Sequence, residues 1–409
     1  MKGNKFLKVR MDDKNEKWED CIKRVNPLPK RPDDIRTEFA RDVTRILHCT
    51  AYRRLKHKTQ VFFAPTNDHV CTRIEHVNHV SSISHTIAEF LGLNAELTNA
   101  IALGHDLGHA PFGHAGEKII KRIVEKELGE TFWHEKNSLY LVDKIETLEE
   151  ADGCHINLNL TYAVRDGIIC HCGEVDENGL FPREKFIDLY EITEPNKYPP
   201  FTWEGCIVKV SDKIAYLGRD IEDALLLDIL PESKVNELSK IIREIGASSF
   251  RKINNGIIIH NFIIDLCKHS SPEKGICFSD AMFNIMNKLK EFNYKYIYLY
   301  KRLEPYKEYA DLIINTIYNL LKQFYNKKIE NIFDNLKEQE KFYPLLIRTF
   351  SGWLEKYGNF KKSPDKNCYK NSVIYSLNNE KDYLRAIIDF LAGMTDNFAK
   401  RVFDEIMTF

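Results

Sequence analysis

The stretch VNHVSSISHTIAEFLGLNAELTNAIALGHDLGHA, residues 77–110, indicates the fold class most clearly. Its apolar residues recur at three- and four-residue spacing, which is the period of an amphipathic α-helix. Gly92 is a typical helix stop, and Pro111 and Gly113 follow the second periodic run. The stretch therefore predicts two consecutive helices. The apolar stripe of the first helix consists of Val77, Val80, Ile83, Ile87, Phe90 and Leu91.

The same period recurs along most of the chain, for example in TEFARDVTRILHCTAYRRLKH (37–57) and CIVKVSDKIAYLGRDIEDALLL (206–227). Residues 151–200 differ, because they hold short apolar runs between turn signals. We interpret them as an irregular insertion with a β-hairpin around INLNLTY (156–162). The fold class is therefore predicted as all-α. The predicted parts are an N-terminal arm (1–35), a core (36–230) and a helical C-terminal region packed on the core (231–409).

The composition excludes several broad classes. Among 409 residues, 59 Lys and Arg nearly balance 60 Asp and Glu, so no chain-wide basic footprint for nucleic acid exists. No apolar run approaches the roughly 18–20 residues of a membrane span, and the N-terminus lacks a signal-peptide core. The ten cysteines are scattered, as reduced thiols are. We therefore expect a cytoplasmic protein. A structural zinc site at CHC (170–172) is disfavoured, because the sequence has no paired CxxC motif to supply the remaining ligands.

Histidines and carboxylates that could bind a metal cluster in ALGHDLGHAPFGHAGE (102–117). His105 and Asp106 form a doublet, and His109, four residues after His105, is predicted to share a helical face with it. His76 lies on the preceding helix, and Asp212 follows far downstream in an apolar helix. Two imidazoles with two carboxylates suit Mn, Fe, Co, Ni, Zn or Mg. A divalent ion there would polarise a phosphoryl oxygen or lower the pKa of a water. The alternative for any single histidine is a solvated group or a satisfied core group.

The motifs as a set resemble the HD-domain deoxynucleoside triphosphate triphosphohydrolases, the dGTPase-like family. The resemblance runs from about residue 36 to the C-terminus. Five segments carry it: AYRRLKHKTQVF (51–62), RIEHVNHV (73–80), LGHDLGHAPFGHAGE (103–117), DKIAYLGRDIEDA (212–224) and DFLAGMTDNFAKR (389–401). It implies an HD-domain helical bundle with additional C-terminal helices. It also implies hydrolysis of a dNTP, dGTP among them, to deoxynucleoside and inorganic triphosphate with a divalent metal ion (Mn, Mg, Fe, Co or Ni).

The resemblance also implies roles for individual residues. The implied metal ligands are His76, His105, Asp106 and Asp212. The implied catalytic group comprises His114, its acidic partner Glu117, and a second histidine, His134. The implied substrate-binding residues are Gln60, Arg73, His109, Lys213, Tyr216 and Asp220. Of these, Gln60 reads the sugar 3′-hydroxyl, the Tyr216–Asp220 pair excludes a 2′-hydroxyl, and Arg73 and Lys213 face the phosphates.

One departure bears on the substrate. Many dGTPase-like members have an aspartate and a histidine where this chain has Lys213 and Arg219. The resulting pattern DKxxYxxRD resembles the branch of the mammalian sterile-alpha-motif and HD-domain dNTPase. Those two cations would add positive charge near the triphosphate. This departure from the pattern of the dGTPases favours hydrolysis of several dNTPs over a strict preference for dGTP.

The resemblance further implies a homo-oligomer, a hexamer or tetramer, with an allosteric nucleotide site in some members and single-stranded DNA as a further partner. Two other functions stay open at this point. One is an HD phosphohydrolase acting on a nucleoside monophosphate or cyclic nucleotide. The other is a nucleic-acid-binding regulator with a degenerate HD site.

Overall fold

The computed structural model describes residues 3–29, 33–63, 67, 69–171, 178–244, 253–360 and 373–408. These residues are mainly helical, and the sheet found among them has two strands. The predicted all-α class with a small β-hairpin is therefore confirmed. The eight cysteines within the described ranges are free thiols. No helix in the same ranges combines the length and apolar character that a membrane span requires.

The helices are joined by connections that range from a few residues to the segment that separates Cys170 from Trp203. In chain order they are α1 (Trp18–Cys21), α2 (Glu38–His48), α3 (Thr50–Arg54), α4 (Arg73–Leu91), α5 (Ala95–Gly104), α6 (Gly113–Leu128), α7 (His134–Tyr140), α8 (Tyr162–Cys170), α9 (Trp203–Leu226), α10 (Glu232–Glu244), α11 (Asn255–His269), α12 (Asp280–Asn293), α13 (Leu303–Lys322), α14 (Ile329–Gln339), α15 (Pro344–Tyr357), α16 (Glu380–Ala392) and α17 (Asp396–Met407). The strands are β1 (Thr147–Glu149) and β2 (His155–Asn157). Single π-helical turns follow α7 and α12, at Leu141–Ile145 and Tyr294–Tyr298.

The chain folds into two compact units, each built from separate segments. Unit 1 consists of Met1–Leu47, Gln60–Asp106 and Leu160–Glu304. Unit 2 consists of His48–Thr59, Leu107–Asn159 and Pro305–Phe409. The predicted arm, core and C-terminal region stay a prediction.

Unit 1 packs α4, α5, α8 and α11 around α9. The predicted stripe of α4 lies in this core: Val77, Val80 and Ile87 are fully buried. Each such aliphatic side chain contributes about 1.5–3 kcal/mol relative to an exposed one. The N-terminal segment also joins the core, because Phe6 is fully buried and the amide of Met11 donates to the Glu204 carboxylate at 3.0 Å.

Unit 2 packs α6 against α16, and α15 against α14, α16 and α17. Its hairpin pairs β1 with β2 in antiparallel register, with Leu148 opposite Ile156. Near the hairpin, the hydroxyl of Tyr357 on α15 donates to the carbonyl of Ile145 at 2.7 Å. Buried phenol and carbonyl groups thus satisfy each other.

The irregular insertion was predicted too broadly. The hairpin strands begin earlier than INLNLTY, at Thr147 and His155, and Tyr162 begins helix α8. α8 is buried along its whole length, so it lacks the polar face that makes a helix recognisable by its period.

The prediction that His105 and His109 share one helical face is wrong, because α5 ends at Gly104. The amide of Gly108 donates to the hydroxyl of Ser138 at 2.8 Å, and its carbonyl accepts from Asn137 at 2.6 Å. These side chains satisfy backbone groups that a continuing helix would have paired internally. A Cβ at Gly108 would lie 2.1 Å from the amide nitrogen of Ser138, so only glycine fits there.

Candidate active site

Two helices of unit 1 carry two of the predicted metal ligands, and the other two, His105 and Asp106, directly follow α5. α4 begins with a capping box in which the amide of Thr72 donates to Glu75 Oε2 at 2.8 Å. The box fixes the first turn, so that Arg73 and His76, three residues apart, project from one face. α9 contributes Asp212 near its middle.

The four predicted ligands lie together within unit 1. His76 Nε2 lies 2.9 Å from Asp212 Oδ1, and His105 Nε2 lies 3.9 Å from the same oxygen. Asp106 completes the group, with Oδ1 3.7 Å from His105 Nε2 and Oδ2 3.9 Å from His76 Nε2. His76, His105 and Asp106 are almost completely buried.

The protonation states of the two imidazoles suit metal binding. His105 Nδ1 lies 2.6 Å from the carbonyl of Ala102, which can only accept, so Nδ1 carries the proton and Nε2 holds the lone pair. His76 Nε2 and Asp212 Oδ1, at 2.9 Å, need a shared proton, whose place a cation can take. Two imidazole nitrogens and two carboxylates match the charge and ligand preference of a divalent ion. The group could therefore hold a divalent metal.

Arg73 holds one of these carboxylates. Its Nη1 donates to Asp106 Oδ2 at 2.7 Å, and both side chains are nearly inaccessible to water. A buried, charge-assisted hydrogen bond of this kind fixes the orientation of the acceptor. Asp106 is thereby oriented with Oδ1 towards His105.

The local charges alter the acidity of the group. Burial acts to raise the pKa of Asp212, but the hydrogen bond from His76 and the neighbouring imidazoles outweigh it, and the net shift is downward. For His76, burial acts to lower the pKa, while the hydrogen bond to Asp212 and the charges of Asp212 and Asp106 raise it overall. The carboxylate of Asp212 therefore stays ionised, as a metal ligand must.

A second polar cluster lies in unit 2 and contains the predicted catalytic residues. Glu117 on α6 accepts from the amide of His134 at 3.0 Å, and both its oxygens lie 3.2 Å from His134 Nδ1. His114 Nδ1 lies 3.6 Å from Glu117 Oε2. The ring of His109 stacks on that of His134 at 3.8 Å. One carboxylate thus contacts several histidines.

The exposure of these groups differs in a way that bears on chemistry. The side chain of His114 is 69% exposed, whereas that of His134 is 10% exposed. Burial acts to raise the pKa of Glu117, but the charges and hydrogen bonds of His134 and His114 lower it strongly overall. Glu117 is therefore a fixed negative charge beside the rings of His114 and His134.

A buried aspartate shapes the turn that leads into α6. Asp396, at the start of α17, accepts from the amides of Thr59 and Phe112, both at 2.8 Å. Phe112 has φ of 65°, a left-handed conformation that a non-glycine residue adopts at a cost. The Asp396 carboxylate thus stabilises the strained residue two positions before His114.

Comparisons with known proteins agree with this geometry. The HD-domain family profile matches residues 73–217. A deoxyguanosinetriphosphate triphosphohydrolase-like protein of Caldanaerobacter subterraneus subsp. tengcongensis is 32% identical, over 91% of this chain and 86% of its own length. A protein of the same name from Clostridium tetani is 33% identical, over 83% of this chain and 88% of its own length. Another, from Desulfatibacillum aliphaticivorans, is 38% identical, over 66% of this chain and 69% of its own length.

This chain belongs to the deoxyguanosinetriphosphate triphosphohydrolase-like family. The four predicted metal ligands, His76, His105, Asp106 and Asp212, all lie within the matched range of residues 73–217. The predicted catalytic residues His114, Glu117 and His134 lie within the same range. Membership supports a hydrolase of the HD class, consistent with the buried histidine–aspartate group.

The residues assigned to the sugar also lie in unit 1. The side-chain oxygen of Gln60 is buried without a hydrogen-bond partner among the described residues, which leaves it available to a ligand hydroxyl. Tyr216 and Asp220 lie one turn apart on α9, and Asp220 is only 2% exposed. Burial is the main cause that raises the pKa of Asp220 to about 7. The hydrogen bond from Tyr298 and the charges of His76 and Arg73 act in the opposite direction and lower this pKa.

The two cations that depart from the common family pattern differ in environment. Lys213 is 7% exposed and directly follows Asp212. Arg219 instead contacts its own helix, with Nε 3.1 Å from Asp223 Oδ1 and Nη1 3.7 Å from Glu222 Oε2. The charge of Arg219 is therefore balanced within α9, so the expected contribution to phosphate binding falls mainly to Lys213.

Sequence reasoning missed three residues of these clusters. His171 stacks edge-on against His105 at 4.9 Å in unit 1, although CHC had suggested a separate zinc site, whose Cys172 lies outside the described residues. Asp396 was quoted only as part of a motif. Tyr298, which contacts Asp220, was not considered; only its position in a Tyr-rich segment could have drawn attention to it.

Proposed function

We propose that this protein hydrolyses deoxynucleoside triphosphates to deoxynucleoside and inorganic triphosphate. The observation that carries the proposal is the buried group of His76, His105, Asp106 and Asp212, braced by Arg73. The names of its relatives point to the same reaction for those proteins. The proposed substrate range includes dGTP and other dNTPs.

In the proposed reaction, a water oxygen bonds to the α-phosphorus and the bond to the 5′ oxygen breaks. The water oxygen leaves with the triphosphate, and the 5′ oxygen takes up a proton. A divalent cation held by the four ligands would supply Lewis-acid polarisation of the phosphate oxygens. Manganese, magnesium, iron, cobalt and nickel all suit the mixed nitrogen and oxygen donors.

The chain's own residues supply the remaining requirements. We assign the proton on the 5′ oxygen to His114, because its ring lies beside the Glu117 carboxylate and its side chain is exposed to a ligand. Arg73 and Lys213 provide positive charge for the phosphates. Gln60, Tyr216 and Asp220 would bind the sugar, and His109 would contact the substrate as well. His134 would be the second catalytic histidine. Assembly into a homo-oligomer, an activating nucleotide and single-stranded DNA binding stay predictions from the family resemblance.

Product analysis tests the proposal directly. The purified chain is incubated with each dNTP and rNTP, singly and mixed, with Mn²⁺ or Mg²⁺, and products are resolved by ion-exchange chromatography. We expect deoxynucleoside and intact triphosphate in equal amounts, and no product after chelation. Orthophosphate or monophosphate as product would instead indicate another HD phosphohydrolase. Salt-dependent binding of single-stranded DNA without any turnover would indicate a regulator with a degenerate site.

A further inference from the structure

A tyrosine outside every recognised motif contacts the proposed sugar pocket. The hydroxyl of Tyr298 forms a short hydrogen bond with Asp220 Oδ2, although 78 residues separate them. Tyr298 is the last residue of the π-helical turn Tyr294–Tyr298 that continues α12. Such single π turns redirect a side chain relative to a regular helix, and they often lie at functional sites.

The same segment is attached to α9 at a second point. The side-chain amide of Asn293, the last residue of α12, donates to the carbonyl of Leu217 at 3.0 Å. Asn293 is fully buried. Two hydrogen bonds therefore fix the start and the end of the π turn against the helix that carries Tyr216 and Asp220.

The direction of the Tyr298 hydrogen bond follows from acidity. Burial, together with the negative charge of Asp220, raises the pKa of Tyr298 well above that of a free phenol. The phenol therefore keeps its proton and donates, and Asp220 Oδ2 accepts. Within the described part of the chain, Asp220 makes no other hydrogen bond, so Tyr298 alone anchors one oxygen and leaves Oδ1 to a ligand.

We propose that Tyr298 is a positioning residue for sugar selectivity, holding the Asp220 carboxylate in the orientation that separates deoxyribose from ribose. This inference rests on the proposed function, because it gives Asp220 a sugar to read. Because the Tyr298 hydroxyl holds Oδ2 of Asp220, the carboxylate cannot rotate freely and Oδ1 keeps a fixed position. A 2′-hydroxyl is then rejected by contact and desolvation, whereas a rotating carboxylate could adjust to it.

Equilibrium binding tests the inference without relying on turnover. The full-length chain carrying His114→Ala, chosen to suppress hydrolysis, is titrated with dGTP and with GTP in Mn²⁺ buffer by calorimetry. We expect the ratio of the GTP to the dGTP dissociation constant to fall about tenfold in Tyr298→Phe, the effect of one lost hydrogen bond. Tyr294→Phe is the matched control, since Tyr294 lies in the same turn with 62% exposure.

Asp220→Asn provides the second variant. If Tyr298 acts through Asp220, Asp220→Asn lowers the same ratio, and the double variant equals Asp220→Asn alone rather than the sum of both effects. The inference would be overturned if the ratio of dissociation constants in Tyr298→Phe stayed within twofold of the parent ratio, because a merely structural role weakens the binding of both nucleotides equally. It would also be overturned if the effects of Tyr298→Phe and Asp220→Asn on this ratio were additive in the double variant. A parent chain that binds the two nucleotides equally overturns it as well.

Failure of the proposed function gives a different result. Wild-type chain that binds dGTP selectively but releases no triphosphate contradicts the proposed reaction, and the Tyr298→Phe ratio still decides the inference. Conversely, wild-type turnover of dNTPs with an unchanged ratio in Tyr298→Phe contradicts the inference alone.

Discussion

At His105, one backbone contact decides which ring nitrogen can bind a metal. The carbonyl of Ala102 accepts a hydrogen bond from the N–H of Nδ1, so Nε2 carries the lone pair on the side of Asp106 and Asp212. The same ring contacts His171, whose Nδ1 lies 2.7 Å from the carbonyl of Ile168. Both imidazoles thus have their tautomer set by the backbone, which prepares Nε2 for a cation before the cation binds.

Asp106→Ala should remove metal and activity together. The variant loses one ligand and leaves the Arg73 guanidinium buried without its carboxylate, which places a positive charge beside the site. We expect metal content, measured by inductively coupled plasma mass spectrometry, to fall about tenfold or more, as is typical for loss of groups at a metal site. Glu237→Ala, which removes an exposed carboxylate of α10, is the control. Full metal content in Asp106→Ala would contradict the ligand assignment.

His114→Ala should separate catalysis from metal binding. The side chain is 69% exposed and its neighbour Glu117 keeps His134, so the fold and the metal content should not change. Turnover should fall about 10²–10⁴-fold, the usual contribution of a general acid. Steady-state kinetics and metal analysis on one preparation test this. His85→Ala, at an exposed position of α4, is the control, and near-normal turnover in His114→Ala would show that another group protonates the leaving oxygen.

At the scale of elements, the start of α6 depends on a distant helix. Asp396 accepts hydrogen bonds from the backbone amides of Thr59 and Phe112. Because Asp396 is only 2% exposed, water cannot take over as the acceptor for these two amides. The turn that delivers His114 is therefore held by the first residue of α17. This explains the place of Asp396 in a motif that has no chemistry of its own.

Asp396→Ala should destabilise the fold before it alters chemistry. Two buried amides would lose their acceptor, at a cost of about 2–4 kcal/mol in the free energy of unfolding. Urea titration followed by circular dichroism measures this cost. Asp404→Ala removes an exposed carboxylate of the same helix and should change the midpoint little. An unchanged midpoint in Asp396→Ala would mean that the turn does not need this carboxylate.

The elements also show how far sequence reasoning reaches. The stripe of α4 was predicted residue by residue, because one face is apolar and the other polar, and Val77, Val80 and Ile87 are buried as predicted. The end of α5 was not, because the groups that replace helical pairing at Gly108, the side chains of Asn137 and Ser138, lie about thirty residues away. Local pattern cannot contain a hydrogen bond to a distant residue.

At the scale of the whole molecule, the helical class was predictable, and so was the set of four histidine and aspartate residues that lie together, while the supporting contacts were not. The four residues belong to a motif whose residue types are those that bind metals. Tyr298 contacts Asp220 from 78 positions away, and Asp396 contacts Phe112 from more than 280 positions away. The residue type of a tyrosine or an aspartate does not indicate which distant residue it contacts. Such contacts follow only from the packed helices.

The molecule as a whole carries a charge of −1, so net charge does not decide how its stability depends on pH. Buried carboxyls contribute a pH dependence of their own. Among the residues that the structure describes, burial raises the pKa of seven of them: Asp42, Asp166, Glu204, Asp220, Asp223, Asp389 and Asp396. A folded-state pKa above the unfolded value means that the folded chain binds the extra proton, so this contribution to stability is lost as pH rises.

Asp389 on α16 offers the cleanest test of that sign. Burial, opposed by Arg385 and by the hydrogen bond from Tyr375, raises its pKa from 3.8 to about 6. Its stabilising protonation is complete below about pH 4 and is lost as pH rises through 6. Relative to wild type, Asp389→Asn should therefore gain stability between pH 4 and 7, by about 3 kcal/mol at most.

Urea midpoints of wild type and Asp389→Asn at several pH values measure this difference, and the comparison of slopes cancels any constant cost of the substitution. Asp404→Asn, at an exposed position, reports the general effect of removing one carboxylate. A difference between wild type and Asp389→Asn that stays flat across this pH range would mean that Asp389 keeps an ordinary acidity. The Tyr375 hydroxyl, 2.8 Å from Asp389 Oδ2, would then compensate for burial completely.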